Sequence, residues 1–157
     1  VGQINDRSLK IDHLVTATGS AGTQSGLVVG LEGTRSGIPV LGICVNADKE
    51  TQEEKVFALA EKTTKFMGIS GSVKRETVVA NGDYVGPGYG LPTDGMIEAT
   101  ELLARQEGIL LDPVYSGKGM AGLIDLIRKG KFRKDENIVF LHTGGSAGLF
   151  AYRKTFS

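Results

Sequence analysis

The stretch that decides the fold is Val15-Thr16-Ala17-Thr18-Gly19-Ser20-Ala21-Gly22-Thr23-Gln24-Ser25-Gly26-Leu27. An apolar, β-prone run leads directly into small and hydroxylated residues, and a helical pattern resumes near Leu27. A strand, a tight turn and a helix in this order leave backbone N–H groups free at the helix N-terminus, where the helix dipole adds positive potential. Ser20 and Thr23 add hydroxyl donors. Composition alone leaves two interpretations open, a turn that holds a phosphate or carboxylate and a glycine-rich connection that binds nothing.

The spacing of the glycines in this turn excludes two common phosphate-binding motifs. No window of the sequence has the Gly-x-x-x-x-Gly-Lys-Ser/Thr spacing of a P-loop. The turn also lacks the Gly-x-Gly-x-x-Gly pattern of dinucleotide-binding folds, because Gly19 and Gly22 stand three apart with Ala21 between them. An anion site at this position is therefore of another type.

Composition limits the class of protein. The 157 residues include 18 basic and 18 acidic side chains, so the formal charge is zero and gives no sign of a nucleic-acid-binding protein. No apolar run approaches the roughly 18 residues that span a membrane, and no signal peptide is recognisable. The single cysteine, Cys44, lies in an apolar run, which favours a core thiol and a cytoplasmic location. No metal site is predicted.

Apolar runs alternate with helical patterns along the whole chain. Strands are predicted over residues 12–18, 40–45, 109–111 and 137–141, and a further β-prone run covers 77–79. Helices are predicted over 22–35, 48–67, 120–129 and 147–152, and another follows the N-cap Thr93 and ends at Gly108. This alternation predicts an α/β fold, an open, mostly parallel twisted sheet with helices on both faces. Because no repeat or linker interrupts the pattern, residues 1–157 are predicted to form a single α/β segment.

Three glycine-containing loops are expected at one edge of this sheet. They follow Thr18, Val114 and Leu141. Ligands of parallel α/β sheets bind beyond the carboxyl ends of the strands. The three loops are therefore predicted to converge on one pocket.

The turn after Thr18 resembles the phosphate-binding loop of fold-type-II pyridoxal-phosphate enzymes. Within that group it is most similar to the branch of D-cysteine desulfhydrase, L-cysteate sulfo-lyase and aminocyclopropane-carboxylate deaminase. The resemblance implies pyridoxal 5'-phosphate as cofactor and the larger domain of such an enzyme as the fold. It also implies five cofactor-binding residues in the turn, Gly19, Ser20, Ala21, Gly22 and Thr23.

A second matching segment is Asp112-Pro113-Val114-Tyr115-Ser116-Gly117-Lys118. It resembles the family segment that places a tyrosine against the substrate, followed by a residue beside the pyridine nitrogen of the cofactor. Tyr115 is then a catalytic residue and Ser116 faces that nitrogen. The deaminase branch has glutamate where this chain has Ser116, which favours β-elimination over cyclopropane ring opening. Without the resemblance, the two residues read as the start of a helix.

Two further segments extend the resemblance. Phe140-Leu141-His142-Thr143-Gly144-Gly145 is similar to the last strand and loop of the family, which makes Thr143 a second polar neighbour of the ring nitrogen. Gly88-Tyr89-Gly90-Leu91-Pro92 matches a loop that brings a second tyrosine, here Tyr89, towards the substrate. Two phenols at one site can orient a carboxylate or relay a proton. The alternative for Tyr89 is a rigid loop packed by its aromatic ring.

The chain departs from the family pattern in one respect. The family holds its cofactor with a Schiff-base lysine in a Gly-Asn-Lys segment and grips the substrate carboxylate with a Ser-Asn-His loop, and neither segment occurs here. Lys10, Lys65 and Lys118 do not match the anchoring motif. The chain, which begins at Val1, is therefore predicted to be the C-terminal half of the enzyme and inactive alone. The missing N-terminal half, in the same or a separate chain, is an expected partner, and the family implies a homodimer.

These features predict a pyridoxal-phosphate-dependent carbon–sulfur lyase. Its substrate would be a small, cysteine-like amino acid, and its products pyruvate, ammonia and sulfite or sulfide, as in the L-cysteate sulfo-lyase or D-cysteine desulfhydrase reaction. Two alternatives remain open at this point. One is an aminocyclopropane-carboxylate deaminase-like enzyme, and the other is a non-catalytic, anion-binding fragment.

Overall fold

The computed structural model describes residues 1–69 and 71–156. Its sheet consists of four parallel strands in the order β3-β2-β1-β4. The strands are β1 (His13–Thr18), β2 (Val40–Cys44), β3 (Val79–Asn81) and β4 (Ile138–Leu141). In the register of the sheet, Val15 lies opposite Leu41 on one side and Phe140 on the other. The prediction of a parallel α/β sheet is confirmed.

The helices of the described residues alternate with these strands. They are α1 (Gly2–Asp6), α2 (Gly22–Gly33), α3 (Lys49–Phe66), α4 (Asp94–Glu107) and α5 (Ser116–Arg128). Two 3-10 segments, Arg75–Thr77 and Ser146–Thr155, complete the regular structure. The predicted strands and helices are thus represented, with boundaries that differ by a few residues, except for the strand predicted over 109–111.

The sheet separates two hydrophobic clusters. Leu14 and Val40 pack with Val28, Val29 and Val56, on the side covered by α2 and α3. Val15 and Ile43 pack with Leu123 and Leu126 of α5 on the opposite side, and α4 packs against α5. Because successive side chains of a strand point to opposite faces of the sheet, a continuous apolar strand such as β1 contributes side chains to both clusters. Helices therefore lie on both faces of the sheet, as the sequence predicts.

Two helix boundaries follow from capping residues that the sequence shows. The Asp48 carboxylate accepts a hydrogen bond from the Thr51 N–H at 2.8 Å and caps α3. Thr93 caps α4 by accepting from the Met96 N–H at 3.2 Å. Gly108 adopts a φ of 67° after α4, a conformation that ends helices at low cost for glycine. The predicted limits of α4 are confirmed.

The segment between α4 and α5 differs from the prediction. Residues 109–111 form no strand and lie in the eight-residue connection 108–115 between α4 and α5, which pack together. Helix α5 begins at Ser116 and not near Met120, because the Asp112 carboxylate caps it early.

Two other elements have boundaries that differ from the predicted ones. The β-prone run at 77–79 becomes β3 at Val79–Asn81, after the 3-10 segment Arg75–Thr77. The terminal helix predicted over 147–152 is the 3-10 segment Ser146–Thr155. Among the described residues, no helix combines the length and the apolar character that crossing a bilayer requires.

The contact between α5 and β2 leads to a stability prediction. A Cβ added at Gly122 would lie 2.8 Å from Ile43 Cγ2 and 3.0 Å from Tyr84 Cδ2. We expect Gly122→Ala to lower the free energy of unfolding by about 1–3 kcal/mol, because α5 must move off the sheet. The measurement is urea denaturation of the purified chain.

The matched control is Gly30→Ala on the exposed side of α2, where an added Cβ meets no atom within 4 Å. This variant is expected to gain about 0.5–1 kcal/mol, since alanine loses less conformational entropy in a helix. A Gly122→Ala variant as stable as the original chain would show that the close approach of α5 to β2 is wrong.

Candidate functional site

A cavity of about 190 Å³ opens at the carboxyl end of β1. The residues that line it come from the turn after β1, the start of α5 and the loop after β4: Ala17, Thr18, Gly19, Ser20, Ala21, Thr23, Gln24, Tyr115 and Thr143. The three loops expected at one pocket therefore converge. The second of them begins a helix directly and follows no strand.

The N-terminus of α2 forms one wall of this cavity. Its N-cap residue, Ala21, has a φ of 72° and offers no side-chain oxygen to the helix. Ser25 N–H donates to the Ala21 carbonyl at 2.9 Å. The N–H groups of Gly22, Thr23 and Gln24 come before Ser25 in the first turn of α2. The N–H groups of a first helical turn have no acceptor within the helix. This end of α2 is suited to an anion.

The chemistry of the lining agrees with an anion site. Its polar groups are backbone amides, the hydroxyls of threonine, serine and tyrosine, and one carboxamide, and no lining residue carries a carboxylate. Gly19 sits in close contact, since an added Cβ would lie 3.0 Å from Val45 Cγ2 and 3.3 Å from Tyr115 Cε1. A larger residue there would push the turn away from Tyr115.

A buried carboxamide supports the floor of the cavity. The Gln52 Nε2 on α3 donates to Thr18 Oγ1 at 2.8 Å, and both residues are buried. The Thr18 hydroxyl proton is therefore left to donate to another acceptor. Sequence reasoning missed Gln52, although its position four residues before Val56 places it on the buried face of α3.

The start of α5 depends on Asp112. One carboxylate oxygen accepts from the N–H groups of Val114 and Tyr115, at 2.9 and 2.7 Å. The other accepts from the Ser116 N–H and the Ser116 hydroxyl, both at 2.7 Å. Ser116 Oγ in turn accepts from the Asp112 N–H at 2.8 Å. Sequence reasoning quoted Asp112 within the motif but gave it no role.

Ser116 is buried behind the cavity, at the first position of α5. Its hydroxyl proton is engaged by Asp112, which leaves one lone pair of Ser116 Oγ for a further donor. Gly22 is the first residue of α2. Neither Ser116 nor Gly22 lines the cavity itself, whereas Gly19, Ser20, Ala21, Thr23 and Thr143 do.

The two predicted tyrosines meet at the mouth of the site. The Tyr89 and Tyr115 hydroxyls lie 2.7 Å apart, and the two rings pack edge to face with centroids 5.9 Å apart. The hydrogen bond with Tyr89 and partial burial raise the pKa of Tyr115 to about 12. Tyr115 is therefore a phenol, able to donate a proton, at neutral pH. The two tyrosines lie 26 positions apart in the sequence, so local sequence patterns do not reveal this contact.

The anion-binding wall leads to a prediction. Ser20→Ala and Thr23→Val are each expected to weaken inorganic phosphate binding by about tenfold, the equivalent of losing roughly 1.5 kcal/mol from a hydrogen bond to a charged group. A ³¹P NMR titration of the chain measures the affinity. The control is Thr63→Val on α3, whose hydroxyl donates to the Leu59 carbonyl away from the cavity. If all variants bind phosphate with equal affinity, the hydroxyls of Ser20 and Thr23 do not contribute to the anion site.

Comparison with known proteins identifies the fold independently. The family model described as pyridoxal-phosphate dependent enzyme matches residues 2–144. A crystal structure described as an ACC deaminase homologue is similar, with 35% sequence identity and a TM-score of 0.86. The match covers 99% of this chain and 46% of that one.

Two structures of O-ureido-L-serine synthase are similar in fold alone, each at 15% identity. One has a TM-score of 0.50 over 88% of this chain and 40% of its own, and the other, bound to O-ureido-L-serine, has a TM-score of 0.52 over 99% and 51%. The chain thus spans about half the length of the solved structures it matches. By the family match and the similarity to the ACC deaminase homologue, it belongs to the pyridoxal-phosphate-dependent enzymes.

Proposed function

We propose that the chain is the C-terminal part of a carbon–sulfur lyase that eliminates sulfite or sulfide from a cysteine-like amino acid. L-cysteate and D-cysteine are the substrates that the sequence resemblance favours. With water consumed, each would yield pyruvate and ammonia beside the sulfur product. The observation that carries the proposal is one cavity that joins the uncapped N-terminus of α2 to the Tyr89–Tyr115 pair.

The residues of this cavity fit pyridoxal phosphate. The start of α2 and the hydroxyls of Ser20 and Thr23 would hold the phosphate, and the close contact at Gly19 keeps this turn against Tyr115. Thr143 and Ser116 would stand near the ring nitrogen. When bound, pyridoxal phosphate withdraws electrons from the amino acid, which acidifies its α-proton and lets a β-substituent leave.

The tyrosine pair would serve the substrate side of the site. Tyr115 lines the cavity and is protonated at neutral pH, so its hydroxyl can bind a substrate carboxylate or give a proton to a departing group. Tyr89 is its hydrogen-bond partner, and when the Tyr89 hydroxyl donates, the Tyr115 proton is available to the substrate. The base for the α-proton is assigned to a lysine outside this chain.

The residue at the start of α5 favours elimination over ring opening. A glutamate here, as in the deaminase branch, would place a carboxylate beside the ring nitrogen. Ser116 is neutral, and the nearby Asp112 carboxylate is engaged by three N–H groups and one hydroxyl. Both carboxylate oxygens are thus committed to α5, which supports the carbon–sulfur lyase.

A deaminase-like activity is the second candidate. The solved protein that is 35% identical to this chain is described as an ACC deaminase homologue. Its similarity over 99% of the chain is the observation that favours this candidate. Aminocyclopropane-carboxylate would then be the substrate and ketobutyrate the product.

Further parts of the proposal concern the complete protein. We assign the cofactor-anchoring lysine and the substrate-carboxylate loop to a remaining half, which makes this chain alone inactive. We also propose a cytoplasmic homodimer. Cys44, a buried free thiol, suits a reducing compartment.

The substrate assignment has a direct test. The complete protein is incubated with L-cysteate, both cysteine enantiomers and aminocyclopropane-carboxylate, and pyruvate, sulfite, sulfide and ketobutyrate are measured. We expect pyruvate with sulfite or sulfide, and no ketobutyrate. If ketobutyrate is the main product, the carbon–sulfur lyase proposal is wrong and the deaminase-like activity is the function. If the complete protein shows no visible absorbance, and borohydride links no cofactor to it covalently, the result would favour a non-catalytic, anion-binding module.

The role of Tyr115 has its own test. Tyr115→Phe in the complete protein is expected to lower kcat by about 10²–10⁴-fold, the contribution typical of a positioned proton donor. The matched control is Tyr84→Phe, which removes a phenol bonded to Asp125 away from the cavity. If Tyr115→Phe keeps the kcat of the original enzyme, Tyr115 does not act on the reacting groups.

A further inference from the structure

The most deeply buried charged side chain lies one turn into α5. Lys118 is 0% exposed, and its ammonium donates to the carbonyls of Val85 at 2.6 Å and Gly88 at 2.8 Å. None of the ion pairs formed by residues 1–69 and 71–156 includes Lys118. The cation is thus held by two backbone carbonyls of a single loop.

Packing alone does not explain a lysine at this position. Taking an ammonium out of water is costly without a countercharge, and burial lowers the pKa of Lys118. A methionine of similar length would fill the same space without that cost. A methionine would, however, leave the carbonyls of Val85 and Gly88 without this donor, and these two acceptors indicate which segment the ammonium holds.

That segment is the loop of residues 85–91, which carries Tyr89. Gly86 and Gly90 have φ values of 69° and 71°, and the loop contains no helix or strand. Tyr89 is 55% exposed, so burial does not fix its ring. The position of Tyr89 therefore depends on how the loop backbone is held. Three hydrogen bonds hold it: two from Lys118, and one from the Tyr152 hydroxyl to the Gly90 carbonyl at 2.6 Å.

We propose that Lys118 is a positioning residue that holds the Tyr89 loop so that the Tyr89 phenol meets Tyr115. Tyr115 and Lys118 stand three residues apart, so the start of α5 contacts the loop twice, once through a phenol and once through an ammonium. The consequence for catalysis rests on the proposed function, whereas the geometry of the two phenols does not.

The test measures the phenol pair without cofactor or substrate, in the 157-residue chain labelled with ¹³C-tyrosine. In Lys118→Met, we expect the NOE between the Tyr89 and Tyr115 rings at pH 7 to be lost. At pH 11 the ionised fraction of Tyr115 should rise severalfold, because its pKa falls from about 12 when the hydrogen bond with Tyr89, the largest cause of the shift, is lost while partial burial remains. Tyr89→Phe, which removes the partner hydroxyl directly, should raise that fraction equally.

Three controls separate positioning from general stability. Lys131→Met removes an exposed lysine beyond α5 and should change neither signal. Val56→Ala lowers stability from the opposite side of the sheet and should also leave both signals unchanged. Lys118→Gln keeps two N–H donors on a side chain one atom shorter, and we expect it to restore part of the NOE.

The proposal is overturned if folded Lys118→Met keeps the ring–ring NOE and the Tyr115 titration of the original chain. It is also overturned if Tyr89→Phe leaves the Tyr115 titration unchanged, because the phenols would then not be coupled. Failure of both Lys118→Met and Lys118→Gln to fold, judged by circular dichroism, would assign the lysine to global stability and count against the proposal. None of these outcomes bears on the substrate assays of the complete protein.

Discussion

The site depends on one buried carboxylate, that of Asp112. Three N–H groups and the Ser116 hydroxyl donate to it, which offsets the cost of burying the charge and starts α5 at Ser116. This start places Tyr115 at the cavity and Lys118 under the Tyr89 loop. The loop after β4 also lies against it, since a Cβ added at Gly145 would be 3.0 Å from Asp112 Cβ. The Asp112 side chain therefore lies against two of the segments that line the cavity, the start of α5 and the loop after β4.

Local sequence was sufficient for the sheet and for the turn after β1. The run from Val15 to Leu27 contains a complete strand, turn and helix, so its short-range pattern carries the conformation, and the observed β1 and α2 agree with it. The limits of α4 were equally readable, because Thr93 and Gly108 are capping residues with local effects. Roles within the pocket, by contrast, came from family resemblance.

Sequence reasoning failed where long-range packing or an unusual cap decides the structure. Residues 109–111 are apolar like a strand, but the short connection between two packed helices leaves them no partner strand. Asp112 precedes a proline and looks like a turn residue, so its capping of α5 was not recognised. The Tyr89–Tyr115 contact and the bonds of Lys118 to the loop join residues about 30 positions apart, which no periodic pattern reveals.

The two helix N-termini at this cavity have opposite electrostatic character, and this difference gives the site a direction. Helix α5 presents its N-terminus to the Asp112 carboxylate, which neutralises the positive end of the dipole and repels a second anion. Helix α2 follows the N-cap residue Ala21, which supplies no carboxylate and no hydroxyl. Under the proposed function, a ligand with a phosphate at one end and a ring nitrogen at the other would bind with its phosphate at α2 and its ring towards the start of α5. The difference in capping between the two helices would thus favour one direction of binding, with Tyr115 on the side of the cavity opposite the phosphate.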